Sequence, residues 1–251
     1  MKTLIKSFGI LTLILITSMA DAQDAKEIIK KSDEKARGET SVSEMNMTIQ
    51  RPGWSRTVGI KSWSLGTGYF MILITSPAKE EGQAFLKIGN EMWNWIPSIE
   101  RLVKIPPSMM LQSWMGSDFT NDDLVKQSSI VEDYTHKLLG KETVRGKECY
   151  RIELIPKEDA AVVWGKVIVW ITTDGYDQWK VEFYDEDNEL VSEQNASDLK
   201  KMGDRTIPTK MEMLLTNKPG NKTIIEITMS DFNTPIEKSF FSQQNMKKLR
   251  K

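Results

Sequence analysis

After Gly38 several segments of the chain alternate apolar and polar residues at every second position, and turn residues recur every ten or so residues. Period two places alternate side chains on opposite faces of a strand. Short strands at such spacing, joined by tight turns, describe an antiparallel meander. Met45, Met47 and Ile49 share one face, and Trp54, Val58 and Ile60 share another after the Arg51-Pro52-Gly53 turn. Ala84–Ile88 and Glu91–Ile96 flank Gly89-Asn90, a two-residue hairpin signal. Val163, Val167, Val169 and Ile171 form one face of a later strand, with Trp164, Ile168 and Trp170 on the other. Trp179, Val181 and Phe183 then alternate with Lys180, Glu182 and Tyr184. Tyr69–Ile74 is apolar on both faces, so both sides of the sheet need a cover.

Helical signals are few. Asp24–Arg37 reads as an amphipathic helix with Ile28 and Ile29 on its apolar stripe and Gly38 at its end. Pro107–Met115 and Asn121–Ser128 read as two more, and a short turn is expected near Ser239–Ser242. So little helix cannot fill a wide concave sheet. That mismatch points to a part-open barrel with an internal apolar cavity, although a packed sandwich gives the same alternation.

The first 22 residues indicate the compartment. Lys2 and Lys6 precede the apolar run Phe8–Thr17, and Ala20-Asp21-Ala22 offers a small-x-small cleavage site. This is the order of a secretory signal peptide. Ser7–Ala20 as a helix reaches roughly 21 Å, short of the ~30 Å hydrocarbon core. The expected organisation is a signal peptide at 1–22, cleaved near Ala22/Gln23, and one domain at 23–251 exported to the periplasm. The one cysteine, Cys149, lies far from the cleavage site, which argues against a lipid anchor and against an internal disulfide. It reads as a small buried hydrophobe in a strand.

Little supports catalysis. His136 is the sole histidine and lies in a strand-like run, where it reads as a surface or interface residue. No HxxH, HxxE or CxxC spacing offers a metal site, and no Gly-x-Ser-x-Gly or phosphate-binding glycine loop is present. No catalytic residue, metal or cofactor is expected. Asp185–Glu189 is a solvated hairpin tip, lacking the glycine and spacing of a calcium loop. Asp118, Asp122 and Asp123 suit the N-terminus of the Asn121–Ser128 helix. Without residues 1–22 the net charge is about −2, with no basic run interleaved with aromatics, so nucleic acid is not an expected partner.

The informative stretch is Met92–Leu124. Met109, Met110, Leu111, Trp114 and Met115 make Pro107–Met115 apolar over most of a helix circumference, wider than a surface stripe. Such a segment is either core or a lid over something apolar and replaceable, a role that suits methionine. The candidate cavity and lid residues are Met45, Met47, Ile49, Val58, Ile60, Met71, Leu73, Trp93, Trp95, Met109, Met110, Leu111, Trp114 and Met115.

At this segment the chain resembles the outer-membrane lipoprotein-sorting proteins of the LolA-like superfamily. The resemblance is carried by MWNWIPSIERLVKIPP, by GSDFTNDDL (Gly116–Leu124), by YTHKLLGKETVRGKECYRIELIPKEDAAVVWGKVIVW, by IPTKMEM and by SFFSQQNMKKL, in that order. The resemblance implies a strongly curved antiparallel half-barrel with a few helices over its concave apolar face. It implies a monomeric, non-enzymatic carrier of lipids or acylated lipoproteins, with an inner-membrane RND-type transporter as partner. The alternative is a lipid- or lipoprotein-sensing module of an envelope transporter or regulator. Carriers of this family use an arginine facing the lid, and neither Arg51 nor Arg56 is assigned that role from sequence.

Overall fold

The computed structural model describes residues 25–249 except 111, 122, 124–128, 159 and 161. The expected signal peptide at 1–22 and Leu111 therefore lie outside the described residues, as does most of the helix expected at Asn121–Ser128. Asn121 and Asp123 are themselves helical.

Helix α1 (25–37) opens the described chain. It ends where Gly38 takes φ +67° and donates its N–H to the Glu34 carbonyl at 2.8 Å. A left-handed glycine here closes the last turn without a Cβ clash. Thirteen antiparallel strands follow: β1 Thr40–Arg51, β2 Trp54–Leu65, β3 Tyr69–Ser76, β4 Ala84–Ile88, β5 Glu91–Ile96, β6 Arg101–Lys104, β7 Tyr134–Val144, β8 Lys147–Pro156, β9 Lys166–Thr172, β10 Gln178–Tyr184, β11 Leu190–Met202, β12 Arg205–Leu215 and β13 Lys222–Phe232. The short helix α2 (Gln243–Met246) lies near the C-terminus.

The strand order is β6-β5-β4-β3-β2-β1-β13-β12-β11-β10-β9-β8-β7. Two meanders, β1–β6 and β7–β13, are thus joined edge to edge where β1 pairs with β13. The curved sheet stays open, with β6 and β7 as its two edges. The chain must pass from one edge to the other between β6 and β7, and Ile105 and Trp114 of that stretch pack on the concave side.

Two clusters line the concave face. Ala25, Ile28 and Ile29 of α1 pack on Ile152, Leu154, Val167, Val169, Ile171 and Val181 of β8–β10. Met47, Ile49, Val58, Ile60, Ile72, Ile74, Phe85 and Met92 pack under Trp114 of the crossing segment. Lys35 anchors α1 by an ion pair with Asp177 at 2.5 Å and a hydrogen bond to the Gly175 carbonyl at 2.8 Å. Two further clusters lie on the convex face. One joins Met71, Leu73, Ala84 and Leu86 to Phe241 and Met246 of the C-terminal segment. The other joins Cys149, Ile168, Trp170, Trp179 and Ala196.

Three expectations are corrected. Pro107–Met115 is not one helix: it forms tight 3-10 turns at Pro107–Met109 and Trp114–Gly116, with Met115 at φ +53°. Trp164 does not share a face with Ile168 and Trp170. The strand begins only at Lys166, because Gly165 passes so close to β10 that a Cβ there would sit 2.3 Å from the Asp185 carbonyl oxygen. Trp164 thereby falls on the concave side, its ring 5.1 Å from that of Phe183. Trp179 also parts from Val181 and Phe183, since the register slips between Gln178 and Lys180 and turns it to the convex side. A bulge of this kind reverses one side chain in an otherwise regular alternation.

Candidate functional site: a roofed cavity

Between the α1 cluster and the Trp114 cluster lies a cavity of about 390 Å³. Its walls are mainly apolar: Met45, Ile60 and Ile72 on one side, Trp164, Val181 and Phe183 on the other, with Met213, Ile225 and Ile227 between. The volume falls in the ~300–1,000 Å³ range of small-molecule sites.

The roof is a hydrogen-bonded loop. Trp114 N–H donates to the Phe119 carbonyl at 2.7 Å, and the Asn121 side-chain amide donates to the Met109 carbonyl at 2.9 Å. The Ser117 hydroxyl donates to the Trp114 carbonyl at 2.7 Å. This network turns the buried Trp114 ring inward, edge-on to Phe85 at 5.4 Å. Its indole Nε1 is buried without a hydrogen-bond partner, a cost accepted at the cavity wall.

Two arginines clasp the roof to the sheet. Arg51, at the end of β1, donates from Nη1 and Nη2 to the two carboxylate oxygens of Asp118, each at 3.0 Å. Nη2 also donates to the Gly116 carbonyl at 3.0 Å. Asp118 is held from behind by Thr223 of β13, whose hydroxyl donates to the carboxylate at 2.7 Å and accepts the Asp118 N–H at 2.9 Å. Arg56 of β2 bonds the Met115 carbonyl and pairs with Glu80 at 2.6 Å. Bidentate arginine–carboxylate pairs are strong and directional. Asp118 is therefore part of a clasp and does not serve the helix-terminus role read from the sequence. Both arginines face the roof, although no local spacing marks either.

The end of the cavity opposite the clasp is polar. Ser41 and Ser43 of β1, Ser62 and Ser64 of β2, Lys87 of β4, and Asp33 and Arg37 of α1 all line it. Lys87 is buried and donates to the Thr67 carbonyl at 3.0 Å. Burial, with the Arg37 charge adding to it, pushes its ammonium down to about 8. Arg37 pairs with Asp33, whose carboxyl is raised by burial.

The candidate residues divide clearly. Met45, Ile60 and Trp114 line the cavity. Met47, Ile49 and Val58 sit in the same concave cluster, and Met110 and Met115 pack partly against it. Met109 is partly exposed at the roof. Met71, Leu73, Trp93 and Trp95 lie on the opposite face under the C-terminal segment, so they are removed from the cavity wall. The reason is the pleat: β3 and β5 send neighbouring residues to opposite faces, and both faces are covered. The residues missed were the second cavity wall and its polar end. Ser41, Ser43, Ser62 and Ser64 do continue the Met45 and Ile60 faces, and that was the available signal.

His136 is buried, with Nε2 at 2.9 Å from the Ile130 carbonyl, and burial lowers its pKa. Burial pushes the Cys149 thiol up to about 11. Among the described residues no group of three or more His, Cys, Asp or Glu could hold a metal ion. No described helix is long and apolar enough to cross a membrane.

Comparison with known proteins places this architecture. No curated protein matches the sequence. A DUF1329 family protein from Desulfovibrio piger superposes with a TM-score of 0.82 at 23% identity, covering 90% of this chain and 99% of that one. A domain assigned to outer membrane lipoprotein sorting from Vibrio parahaemolyticus gives 0.78 at 25% identity, covering 90% and 99%. A LolA superfamily protein from Nitrosomonas europaea gives 0.74 at 22% identity, covering 88% and 98%. Residues 66–248 match a family model described as uncharacterized protein-like. With that match spanning most of its length, the chain belongs to that family, and its half-barrel around a roofed cavity is the fold seen in the LolA superfamily protein.

Proposed function

We propose that this protein is a periplasmic carrier that holds acyl chains of lipids or lipoproteins in the cavity and releases them toward the outer membrane. The observation that carries this reading is an apolar cavity of about 390 Å³ whose roof is clasped to the sheet by side chains. Burying each CH₂ is worth ~0.8 kcal/mol, so a chain of about 14–16 carbons gains ~11–13 kcal/mol before entropic costs. Ion pairs and hydrogen bonds can release a roof without breaking a sheet ladder, as a carrier requires. Export through a signal sequence at 1–22, and an inner-membrane RND-type transporter as the source of cargo, belong to the same reading.

The test is native mass spectrometry of protein purified from the periplasm without detergent, followed by transfer of labelled lipid to acceptor vesicles. A bound lipid mass and transfer are expected. Ile225→Trp, which fills the cavity with apolar bulk, should cut retained lipid at least about tenfold, the equivalent of one lost buried contact of ~1.4 kcal/mol. Empty wild-type protein that takes up no labelled lipid would overturn the proposal. Lipid uptake without transfer would favour a sensing module.

A further inference from the structure

The polar end of the cavity has a composition that an acyl chain does not need. Along β1 the inward side chains run Ser41, Ser43, Met45, Met47, Ile49, and along the paired β2 they run Ser64, Ser62, Ile60, Val58. The same two strands therefore pass from hydroxyls to hydrocarbon within one continuous wall. At about 3.4 Å per residue, the cavity-lining stretch of β2 from Ser64 to Ile60 spans roughly 14 Å. One leaflet of a bilayer, half of its ~30 Å core, is the length of an extended acyl chain. The wall is thus graded like a single amphiphile, with the head end away from the clasp.

The head end is also cationic in character. Lys87 and Arg37 both line the cavity there, two cations against the single carboxylate of Asp33. Arg37 gives one arm of its fork to Asp33, while its Nε–H is buried without an acceptor. Buried donors are ordinarily satisfied, so this guanidinium has hydrogen-bonding capacity that Asp33 does not use. Two cations facing one carboxylate leave a net positive charge at this end, which an anion offsets better than any neutral group. Ser62 and Ser64 are buried there as well, with the Ser64 hydroxyl 2.7 Å from that of Ser41. Hydroxyl rotors can turn to donate to a headgroup oxygen.

We propose that this pole binds the anionic head of an acyl lipid, a carboxylate or a phosphate, through Lys87, Arg37 and the serine hydroxyls. The inference rests on the carrier reading and narrows it: the cargo is an acidic lipid rather than any acyl chain. A lipoprotein's acylated N-terminus, which brings no anionic head, is then a poorer ligand than a free fatty acid or an acidic phospholipid.

The experiment is binding to delipidated full-length protein of three ligands with equal 16-carbon chains: palmitate, 1-hexadecanol and palmitoyl lysophosphatidate. At least one of the two acids should bind about 10- to 100-fold tighter than the alcohol, the value of a charge-assisted hydrogen bond in a buried site. Whichever acid binds tighter assigns the head as carboxylate or phosphate. Lys87→Met should bring the acid-to-alcohol ratio toward one, and Lys87→Arg should preserve it. Equal affinity for the alcohol and both acids would overturn the anionic head while leaving the carrier reading standing. Failure of all three to bind would overturn both. The ligand series on the unmodified protein decides the question even if a variant does not fold.

Discussion

Arg51 and Asp118 show what a single pair of residues contributes to this molecule. They are 67 positions apart, and their side chains are almost fully buried against each other. Removing one partner of such a pair leaves the other charge buried, which costs about 3–5 kcal/mol. Here the roof has a cheaper response, because Asp118 can reach water if the loop lifts from the sheet. Arg51→Gln should therefore destabilise the roof locally before it destabilises the fold. Hydrogen exchange should show amides of 112–121 losing protection while those of β1, β2 and β13 keep theirs. Equal loss of protection across the sheet would mean that the clasp holds the fold and not the roof. Asp118→Asn should be milder, since the amide oxygen can still accept from Thr223 and one arm of Arg51. Nothing in the sequence marks this pair. Arg51 stands before a Pro-Gly turn and Asp118 before a short helical stretch, and each has a local explanation of its own. Only the return of β13 beside β1 brings Thr223 and the clasp together.

At the scale of elements, strand positions were legible and strand faces were not. The Gly89-Asn90 hairpin, the Gly38 helix end and the alternations of β1 and β2 follow from local chemistry that short segments specify. Alternation sorts residues into two sets but does not say which set faces inward. In β3 both sets are apolar: Phe70, Ile72 and Ile74 belong to the concave side, while Met71 and Leu73 meet Phe241 and Met246. The cover comes from the chain's far end, so β3 and β5 themselves carry no sign of it. The Pro107–Met115 expectation failed for a related reason. Its apolar content was read as a helix surface, whereas the roof is built from tight turns satisfied by Ser117 and Asn121. The C-terminal cover yields a prediction. Phe241 is buried against Tyr69 at 5.6 Å and Phe240 at 5.3 Å. Phe241→Ala should cost about 3–5 kcal/mol in urea unfolding, as large-to-small core changes do. Palmitate affinity should change little, because the cavity lies on the other face of the sheet. A large loss of affinity at unchanged stability would place the C-terminal segment in the site instead.

At the scale of the whole molecule, the open sheet explains why a cavity persists. Two meanders meet at the β1–β13 seam, and their free edges β6 and β7 are linked only through the crossing segment. On the far side of the seam, β12 pairs with β13 over Lys210–Leu214 alone, half the register of the β11–β12 pair. Curvature can therefore change more easily between β12 and β13, beside the seam, than between β11 and β12, because fewer ladder bonds resist it. The interior is filled from two sides, by α1 and by Trp114, with about 390 Å³ left between them. Unfilled apolar space forfeits packing, at a cost that grows with cavity volume. A chain that occupies it should restore those contacts and stabilise the native state alone. At a free ligand concentration of 100 Kd the gain is about 2.7 kcal/mol. For a domain of this size that raises Tm by about 5–10 °C. Delipidated protein should thus melt lower than lipid-loaded protein by that margin in calorimetry. Ile225→Trp should melt above the delipidated wild type and give no further rise with lipid, because its own side chain takes the ligand's place at the seam. A lipid-dependent rise of full size in that variant would mean that the stabilising ligand binds elsewhere.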